Sequence, residues 1–339
     1  MDYYRKKMKA LIFPNDPLIE YVKKGEIKEN YFNPNNVFDE IHFITFTAHE
    51  CSVEDIQVTI GKAKGYIHAF KPFTLWDYIF PYKRVSLIIL KIEDLKFDLV
   101  RSYAPFLAGY IAAMVAKKTK TNSTVSIHSD FKSLRCYFID IRSSLRAIKY
   151  WLLYLYEFKC YKLYDQIIGV SKKSLSTVPN KFKKKTIVKH NTINTNYFFH
   201  IPDLEKKYDI IMVGRLEKPK RQDLLLEAIT EIPQKIKILF IGNGIEKGKL
   251  EKYAKKHQIS LTIIESIPNN ELVKFYNQSR INVQLSDYEG FGIPIIEAAA
   301  CGIPSVCSDI QVFHELSRLT IIYKKNKAHD IKTGIEKIL

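Results

Sequence analysis

Ser286-Asp287-Tyr288-Glu289-Gly290-Phe291-Gly292-Ile293-Pro294-Ile295-Ile296-Glu297-Ala298-Ala299-Ala300-Cys301-Gly302 is the stretch that decides how the rest of the chain is read. Before it, residues 281–285 alternate apolar and polar side chains, as a strand end does. Gly290 and Gly292 bracket Phe291 and permit a tight loop with close backbone approach to a ligand. Pro294 stands where a helix starts, because its missing N–H costs nothing in a first turn. An apolar, alanine-rich run follows, and Gly302 supplies a C-terminal cap. A strand, glycine loop and helix in that order aim unpaired backbone N–H groups at one point, which makes an anion site.

Glu297 breaks the pattern. Ile295, Ile296, Ala298, Ala299 and Ala300 around it are apolar or small, so its carboxylate either reaches a cleft or is buried with a partner. A buried carboxylate stripped of its partner costs ~3–5 kcal/mol, so one in this setting is expected to have a use. Glu289 stands eight positions earlier, on the loop side. Attraction of acids to a helix N-terminus, ~0.3–1 kcal/mol, accounts for Glu289 but not for Glu297.

These residues resemble the glutamate, seven residues, glutamate motif of the retaining GT-B glycosyltransferases, in particular family 4. The Glu-Gly-Phe-Gly-Ile-Pro core, with Glu-Ala-Ala-Ala-Cys-Gly-Ile-Pro after it, carries the likeness. The resemblance implies an α/β fold of two Rossmann-like parallel domains facing across a cleft. It implies that Glu297 projects into the gap between them and holds the ribose hydroxyls of a sugar nucleotide. Glu289 would then lie at the donor sugar, and the amides of Gly290, Phe291 and Gly292 would meet sugar hydroxyls and phosphate.

Composition agrees with an enzyme of this size. The chain has 339 residues, room for about two domains, and with 46% hydrophobic and 26% charged residues it is globular, not disordered. Five scattered cysteines without a Cys-x-x-Cys pair argue against a disulfide framework or a zinc site and for a reducing cytosol. The basic start, Met1 to Lys7, has no apolar core behind it, so no signal peptide is expected. No apolar run nears the ~20 residues that span a bilayer. The net charge of +17 is unevenly spread: residues 1–200 hold 32 Lys/Arg against 18 Asp/Glu, residues 201–339 hold 21 against 18. The excess on the first half suits an anionic partner (phospholipid, a phosphate-bearing acceptor or nucleic acid) or serves solubility alone.

The first half reads as a parallel α/β domain. Strands are expected at 9–13, 41–47, either 56–60 or 65–70, 97–100, 124–128, 166–170 and 186–189, with helices at 18–24, parts of 75–95 broken at Pro81, and 108–116. Many sugar transferases place a glycine-rich loop after the first strand; Pro14-Asn15-Asp16-Pro17 stands here instead, a departure that weakens the case for an N-terminal phosphate loop. His128 ends the fifth strand, and ligands of open parallel sheets bind beyond carboxyl ends. By resemblance it occupies the place of a histidine that contacts donor sugar and phosphate. Residues 142–164 form a long helix mixing Leu145, Trp151, Leu152, Leu155, Tyr156 and Phe158 with arginines and lysines. It suits a lipid-headgroup interface, or a core helix whose lysines snorkel.

The polar stretch 191–204 separates the halves, giving an acceptor-side domain at 1–190 and a donor-binding domain at 191–339. Relatives carry asparagine-glycine where this chain has His190-Asn191-Thr192-Ile193-Asn194. The second half opens with a strand at 209–214 ending in Gly214; Arg215 follows at once and Lys220 precedes a helix at 223–229. Gly-Arg-Leu with this lysine resembles the family's diphosphate clamp. The chemistry stands without the likeness, since each charge-assisted hydrogen bond to a leaving pyrophosphate contributes ~1.5–3 kcal/mol. A strand at 236–241, the turn Gly242-Asn243-Gly244, a basic helix at 249–256 and a strand at 261–264 follow. Asn269 or Asn270 is expected to cap a helix running to 279, residue 306 to begin a final strand, and 331–339 to form a helix. By resemblance alone, backbone near Ser266 and Ile267 holds the nucleotide base. Enzymes of this class continue with a helix that crosses back to the first domain, and its absence suggests a truncated or short chain.

The expected activity is retaining transfer of a hexose-type sugar from a nucleotide diphosphate-sugar to an acceptor hydroxyl, in cell-surface glycan or polysaccharide synthesis. Arg215, Lys220, Glu289 and His128 are the catalytic candidates; Glu297, Gly290, Phe291, Gly292, Gly214 and Ile267 the donor-binding ones. No Asp-x-Asp occurs, so neither metal nor cofactor is expected. The acceptor is a glycan, with a lipid-linked one preferred on charge, which places the enzyme in the cytoplasm or at the cytoplasmic face of an anionic membrane. Competing readings are a sugar-nucleotide 2-epimerase of the same fold, a non-catalytic sugar-nucleotide-binding subunit, a two-carboxylate glycosidase that leaves Arg215 and Lys220 without work, and a basic nucleic-acid binder, for which no recognition motif is present.

Overall fold

A computed structural model describes residues 6–23, 27–131, 144–268 and 270–339, without the side chains of residues 144–153. The chain divides into two compact units. The N-terminal one holds Met1–Val170 and Ser174–Lys189; the C-terminal one holds Ser171–Lys173 and His190–Leu339. The sequence reading put the boundary at 191; the units divide one residue earlier and add the short segment at 171–173.

In the N-terminal unit seven parallel strands, β1 (Lys9–Phe13), β2 (Glu40–Phe46), β3 (Lys64–Phe70), β4 (Leu99–Ser102), β5 (Ser123–Ile127), β6 (Gln166–Gly169) and β7 (Thr186–Val188), lie in the order β3-β2-β1-β4-β5-β6-β7. Helices α1 (Leu18–Lys23), α2 (Gln57–Ile60), α3 (Leu75–Ile79), α4 (Pro81–Lys91), α5 (Leu107–Thr119) and α6 (Ser144–Leu163) connect them. The strands are apolar on both faces because both are covered. Leu11 and Phe13 join a cluster with Ile111, Ala112 and Val115 of α5, while Ala10 and Ile12 face Leu18, Phe32 and Tyr103 on the other side.

The C-terminal unit repeats the plan with β8 (Tyr208–Val213), β9 (Lys237–Ile241), β10 (Ser260–Ile264), β11 (Ser279–Gln284), β12 (Ser305–Ser308) and β13 (Ile321–Lys324) in the order β10-β9-β8-β11-β12-β13, all parallel. Its helices are α7 (Gln222–Thr230), α8 (Lys247–Lys256), α9 (Leu272–Asn277), α10 (Ile293–Ala300) and α11 (Ala328–Glu336). Period-two packing is plain here: Ile210, Met212, Ile238 and Phe240 enter one core, Ile211, Leu239 and Ile241 the other. The strand order reverses between β8 and β11, and a ligand of such a sheet binds beyond the carboxyl ends at that switch point. This feature makes the carboxyl ends of β8 and β11 the candidate site of this unit.

Six expectations need correction: the last helix is Ala328–Glu336 and not 331–339, the helix expected to run to 279 ends at Asn277 with Ser279 opening β11, and four more follow. Residues 54–60 are helical, Glu54–Ile56 as a 3-10 turn and α2 after it, and Gly61 at φ +62° ends them, so the third strand is β3. The fourth strand starts two residues later than read, because Asp98 closes the start of the ladder: its N–H donates to the Lys9 carbonyl at 2.9 Å and its carboxylate accepts the Lys9 N–H at 2.9 Å. Glu271, not Asn270, precedes α9, and Asn269 lies outside the described residues. Strand β12 is not the last; β13 forms the edge, four half-exposed residues that give no clear alternation.

The long-helix expectation is met from Ser144 to Leu163. Residues 142–143, and the side chains of Leu145, Trp151 and Leu152, lie outside the described residues. In the described part Tyr156, Cys160 and Tyr161 are buried, and the Tyr156 hydroxyl donates to the Tyr78 carbonyl. Lys159 arches its ammonium over the Tyr110 and Tyr156 rings, at 5.5 and 5.1 Å, which is a core helix with a snorkelling lysine.

Candidate functional site

Two segments meet past the carboxyl ends of β8 and β11. After β8 the chain passes Gly214 (φ +151°), Arg215 and Leu216 and makes a 3-10 turn, Lys218–Lys220. After β11 it makes the loop 286–292 and enters α10. The Pro219 carbonyl joins the two, accepting the Asp287 N–H at 2.9 Å and the Ser286 hydroxyl at 3.2 Å. Arg221, forced to φ +51°, donates to Asp287 at 3.1 Å. Held by these bonds, Lys220 forms an ion pair with Glu289, both largely shielded from solvent. The other Glu289 oxygen accepts the Gly290 N–H at 3.0 Å. The sequence named Lys220 and Glu289 separately; the fold makes them partners.

Behind the pair, Gly290, Phe291 and Gly292 are buried, and Phe291 packs on the His190 ring with centroids 5.1 Å apart. Gly292 has φ +109°, and a Cβ there would come within 2.9 Å of the Phe313 ring, so the loop passes where only glycine fits. Helix α10 then starts with Pro294, which has no N–H, in its first turn, and the Ile295 N–H donates to the Gly292 carbonyl at 3.1 Å. Gly302, at φ +76°, follows the last turn as expected.

Glu297 is only 5% exposed. One of its oxygens accepts the Tyr276 hydroxyl of α9 at 2.9 Å. Burial and this carboxylate together push the Tyr276 phenol well above its usual range, and Glu297 also contributes to raising Cys301 to about 12, mostly a burial effect. Of the two readings of Glu297 left open by the sequence, burial beside a partner describes its place in this unit. Arg215 is the opposite case: its side chain is 67% exposed, with one bond to Glu217 at 3.0 Å, while its carbonyl is fixed by the buried Gln222 amide at 2.9 Å. Ile267 is half-buried in the loop that follows β10.

Sequence reasoning passed over Tyr276, Gln222 and Gln284, since no spacing connects them to the motif, and gave Asp287, inside the quoted stretch, no role. Gln284 is fully buried, and among the described residues neither its side-chain oxygen nor its nitrogen has a hydrogen-bond partner. A Cβ on Gly214 would stand 3.9 Å from its amide nitrogen, so this unpaired group lies against the end of β8. His128 belongs to the N-terminal unit, where it stacks on Tyr103 at 5.5 Å and 14°. Burial, helped by Arg101, pushes it down to about 4, so at neutral pH the ring is uncharged, and its buried Nε2 has no partner among the described residues.

Residues 194–339 match the family model described as glycosyl transferases group 1. The C-terminal unit belongs to that family. Among relatives of the chain, the uncharacterised glycosyltransferase MJ1178 of Methanocaldococcus jannaschii is 24% identical over 305 residues, covering 88% of this chain and 79% of that protein. The O-antigen biosynthesis glycosyltransferase WclY of Escherichia coli is 26% identical over 298 residues, 82% of each chain. A Campylobacter jejuni enzyme named N-acetylgalactosamine-N,N'-diacetylbacillosaminyl-diphospho-undecaprenol 4-alpha-N-acetylgalactosaminyltransferase is 27% identical over 151 residues, 43% of this chain and 41% of its own. Among solved structures, Anabaena Alr3699/HepE in complex with UDP and glucose superposes with a TM-score of 0.72 at 12% identity, over 96% of this chain and 89% of that one. The fold of the glycosyltransferase is GT-B.

Proposed function

We propose that this glycosyltransferase is a retaining, family 4 enzyme that moves a sugar from a nucleoside diphosphate-sugar to an acceptor hydroxyl. One observation carries the reading: a lysine and a glutamate from separate loops are bonded together at the switch point of the donor-side sheet, beside the glycine loop and the start of α10. Arg215 and Lys220 take the charge that develops on the departing diphosphate, the role in which preorganised cations contribute most. Glu289 and the amides of the Gly290–Gly292 loop orient the sugar. By the resemblance alone, Glu297, buried against Tyr276, holds the ribose, and Ile267 backbone the base. The leaving phosphate accepts the proton of the incoming hydroxyl as the new glycosidic bond forms on the face the diphosphate leaves. No metal is needed where two cations stand. The uncharged His128 donates a hydrogen bond from the N-terminal, acceptor-side unit.

The structural neighbour solved with UDP and glucose supports a sugar nucleotide as donor, and the O-antigen and undecaprenol-linked relatives support glycan synthesis on a lipid-borne acceptor. The basic N-terminal half favours the same acceptor class, at the cytoplasmic face of an anionic membrane. The test is turnover after a thermal-shift screen of UDP-, GDP-, ADP- and dTDP-sugars, in which a ligand at about 100 times its Kd adds ~2.7 kcal/mol. With the donor so found, Arg215→Ala and Lys220→Ala each lower kcat by about 10²-fold. Wild-type turnover in both variants, or interconversion of the donor without any acceptor, sinks the proposal.

A further inference from the structure

Six exposed large apolar side chains crowd into residues 75–90 of the N-terminal unit: Leu75 (80% exposed), Trp76 (69%), Leu90 (63%), Ile79 (61%), Tyr82 and Leu87. They lie on α3 and α4; the other face of α4 sends Val85 and Ile88 into the core, and Tyr78 of α3 packs against the same cluster. Nothing about this ridge is loose. Thr74 and Asp77 form a capping box at the start of α3, and Arg84 of α4 clamps Asp77 through both carboxylate oxygens, at 2.6 and 2.9 Å, while reaching the Pro72 carbonyl at 3.1 Å. Asp77 is held down at about 2 by that guanidinium, so the clamp is ionic at any ordinary pH. The two helices are thus tied together by these bonds, with an apolar side turned outward, an arrangement that in a protein surrounded only by water is a liability.

Charge says what covers it. Between 71 and 91 the only acid is Asp77, which is buried and neutralised by Arg84. The exposed charges are Lys71, Lys83 and Lys91, all positive. The aromatic rings are arranged as at a lipid headgroup boundary: Trp76 stacks on Phe80 at 6.0 Å, Tyr82 meets Phe80 edge-on at 5.9 Å, and the Lys83 ammonium sits over Phe80 at 5.6 Å. Apolar groups that enter the acyl boundary, rings with a polar edge, and lysines able to rise to phosphate are the parts of an interfacial anchor. A protein partner would need matching acids; a bilayer containing anionic lipid supplies both phases at once.

We propose that the α3–α4 hairpin is the surface by which this chain sits on an anionic phospholipid bilayer. It gives a location to the membrane-borne acceptor of the preceding reading, on which it rests for its purpose but not for its test. The full chain is sedimented with vesicles of phosphatidylcholine alone and of an equal mixture with phosphatidylglycerol. Binding is expected to be about tenfold or more stronger on the mixture and to fall with salt. The double variant Trp76→Ser, Leu90→Ser loses binding by about tenfold or more on both vesicles. Lys83→Glu with Lys91→Glu loses the preference for phosphatidylglycerol, whereas Lys255→Glu with Lys256→Glu, the same charge change on exposed positions of α8, leaves it intact. All substituted side chains are solvent-exposed, and thermal midpoints of the variants are compared to confirm that they fold. Equal binding to both vesicles, no binding, or full binding by the Trp76, Leu90 variant overturns the proposal. So does a dimer in light scattering that this variant dissolves, which would make a second copy the occupant. Sugar transfer to a short soluble acceptor is measured on the same proteins: its absence in the wild type counts against the catalytic reading, and the vesicle result stands separately.

Discussion

At position 276 a phenol hydroxyl, not a cation, meets the most suspicious residue of the sequence. Glu297 could be picked out because a carboxylate amid Ile295, Ile296 and three alanines has to be explained, yet its partner lies 21 positions back on another helix, where no period or motif points. Tyr276→Phe keeps the ring that fills the core and removes one bond to the carboxylate. The loss of ~0.5–1.5 kcal/mol raises the KM for the donor about two- to tenfold with kcat nearly unchanged, the signature of a group that binds ground and transition states alike. Steady-state kinetics checks it, and a fall in kcat with constant KM contradicts the assignment of Glu297 to the ribose. Lys220 and Glu289 were legible as candidates for a different reason: each follows a strand end and flanks a glycine or a helix. Their mutual contact was not, because it depends on which strands are neighbours. Gln284 had no signal at all, being an ordinary polar residue in an alternating strand.

Among elements, strands with long apolar runs and helices with firm ends were read correctly from local pattern: β1, β2, β8, β9, α5, and the break at Pro81 between α3 and α4. Short or weakly patterned pieces were not. Residues 54–60 carry the β-branched side chains of a strand, but Gly61 and tertiary packing close them as helix, and β13 has too few residues to show a face. The turn Gly242-Asn243-Gly244 was visible as glycines without a reason. The reason is crowding: a Cβ at Gly242, whose φ is +145°, would stand 2.1 Å from the Gly214 carbonyl oxygen, and one at Gly244 2.2 Å from that of Leu216. Gly242→Ala therefore wedges the ends of β8 and β9 apart just where Arg215 begins. Strain of ~1–3 kcal/mol is expected, seen as a lower urea midpoint, together with weaker donor binding in the thermal-shift assay. Unchanged stability would show that the two strand ends yield without cost.

For the molecule, the division into two parallel α/β units followed from alternating strand and helix signals, and the uneven charge from simple counting. What the sequence did not disclose was acid sensitivity. His42 of β2 is buried with its Nδ1 3.0 Å from Nε2 of His68 on β3, and burial, then His68, push it from the ordinary 6.5 down to about 4. Burial lowers His68 as well. An unfolded chain takes up these protons below pH 6.5 and the folded one does not, so stability is complete above that value and is lost as pH falls toward 4. A loss on the order of 2 kcal/mol is expected over this window, measured by urea unfolding at several pH values, with a flatter profile for His42→Phe. Asp77, depressed to about 2, adds a further loss only below its ordinary 3.8. The Pro219 carbonyl has a longer reach than any of these groups. The spacing of cation and acid rests on main-chain bonds, Asp287 to Pro219 at 2.9 Å and Lys220 to Glu217 at 2.8 Å, which no exchange of side chains can erase. Exchange of the exposed Lys218 side chain should therefore be harmless to catalysis, while inserting or deleting a single residue in either segment, even with every named side chain retained, should abolish it.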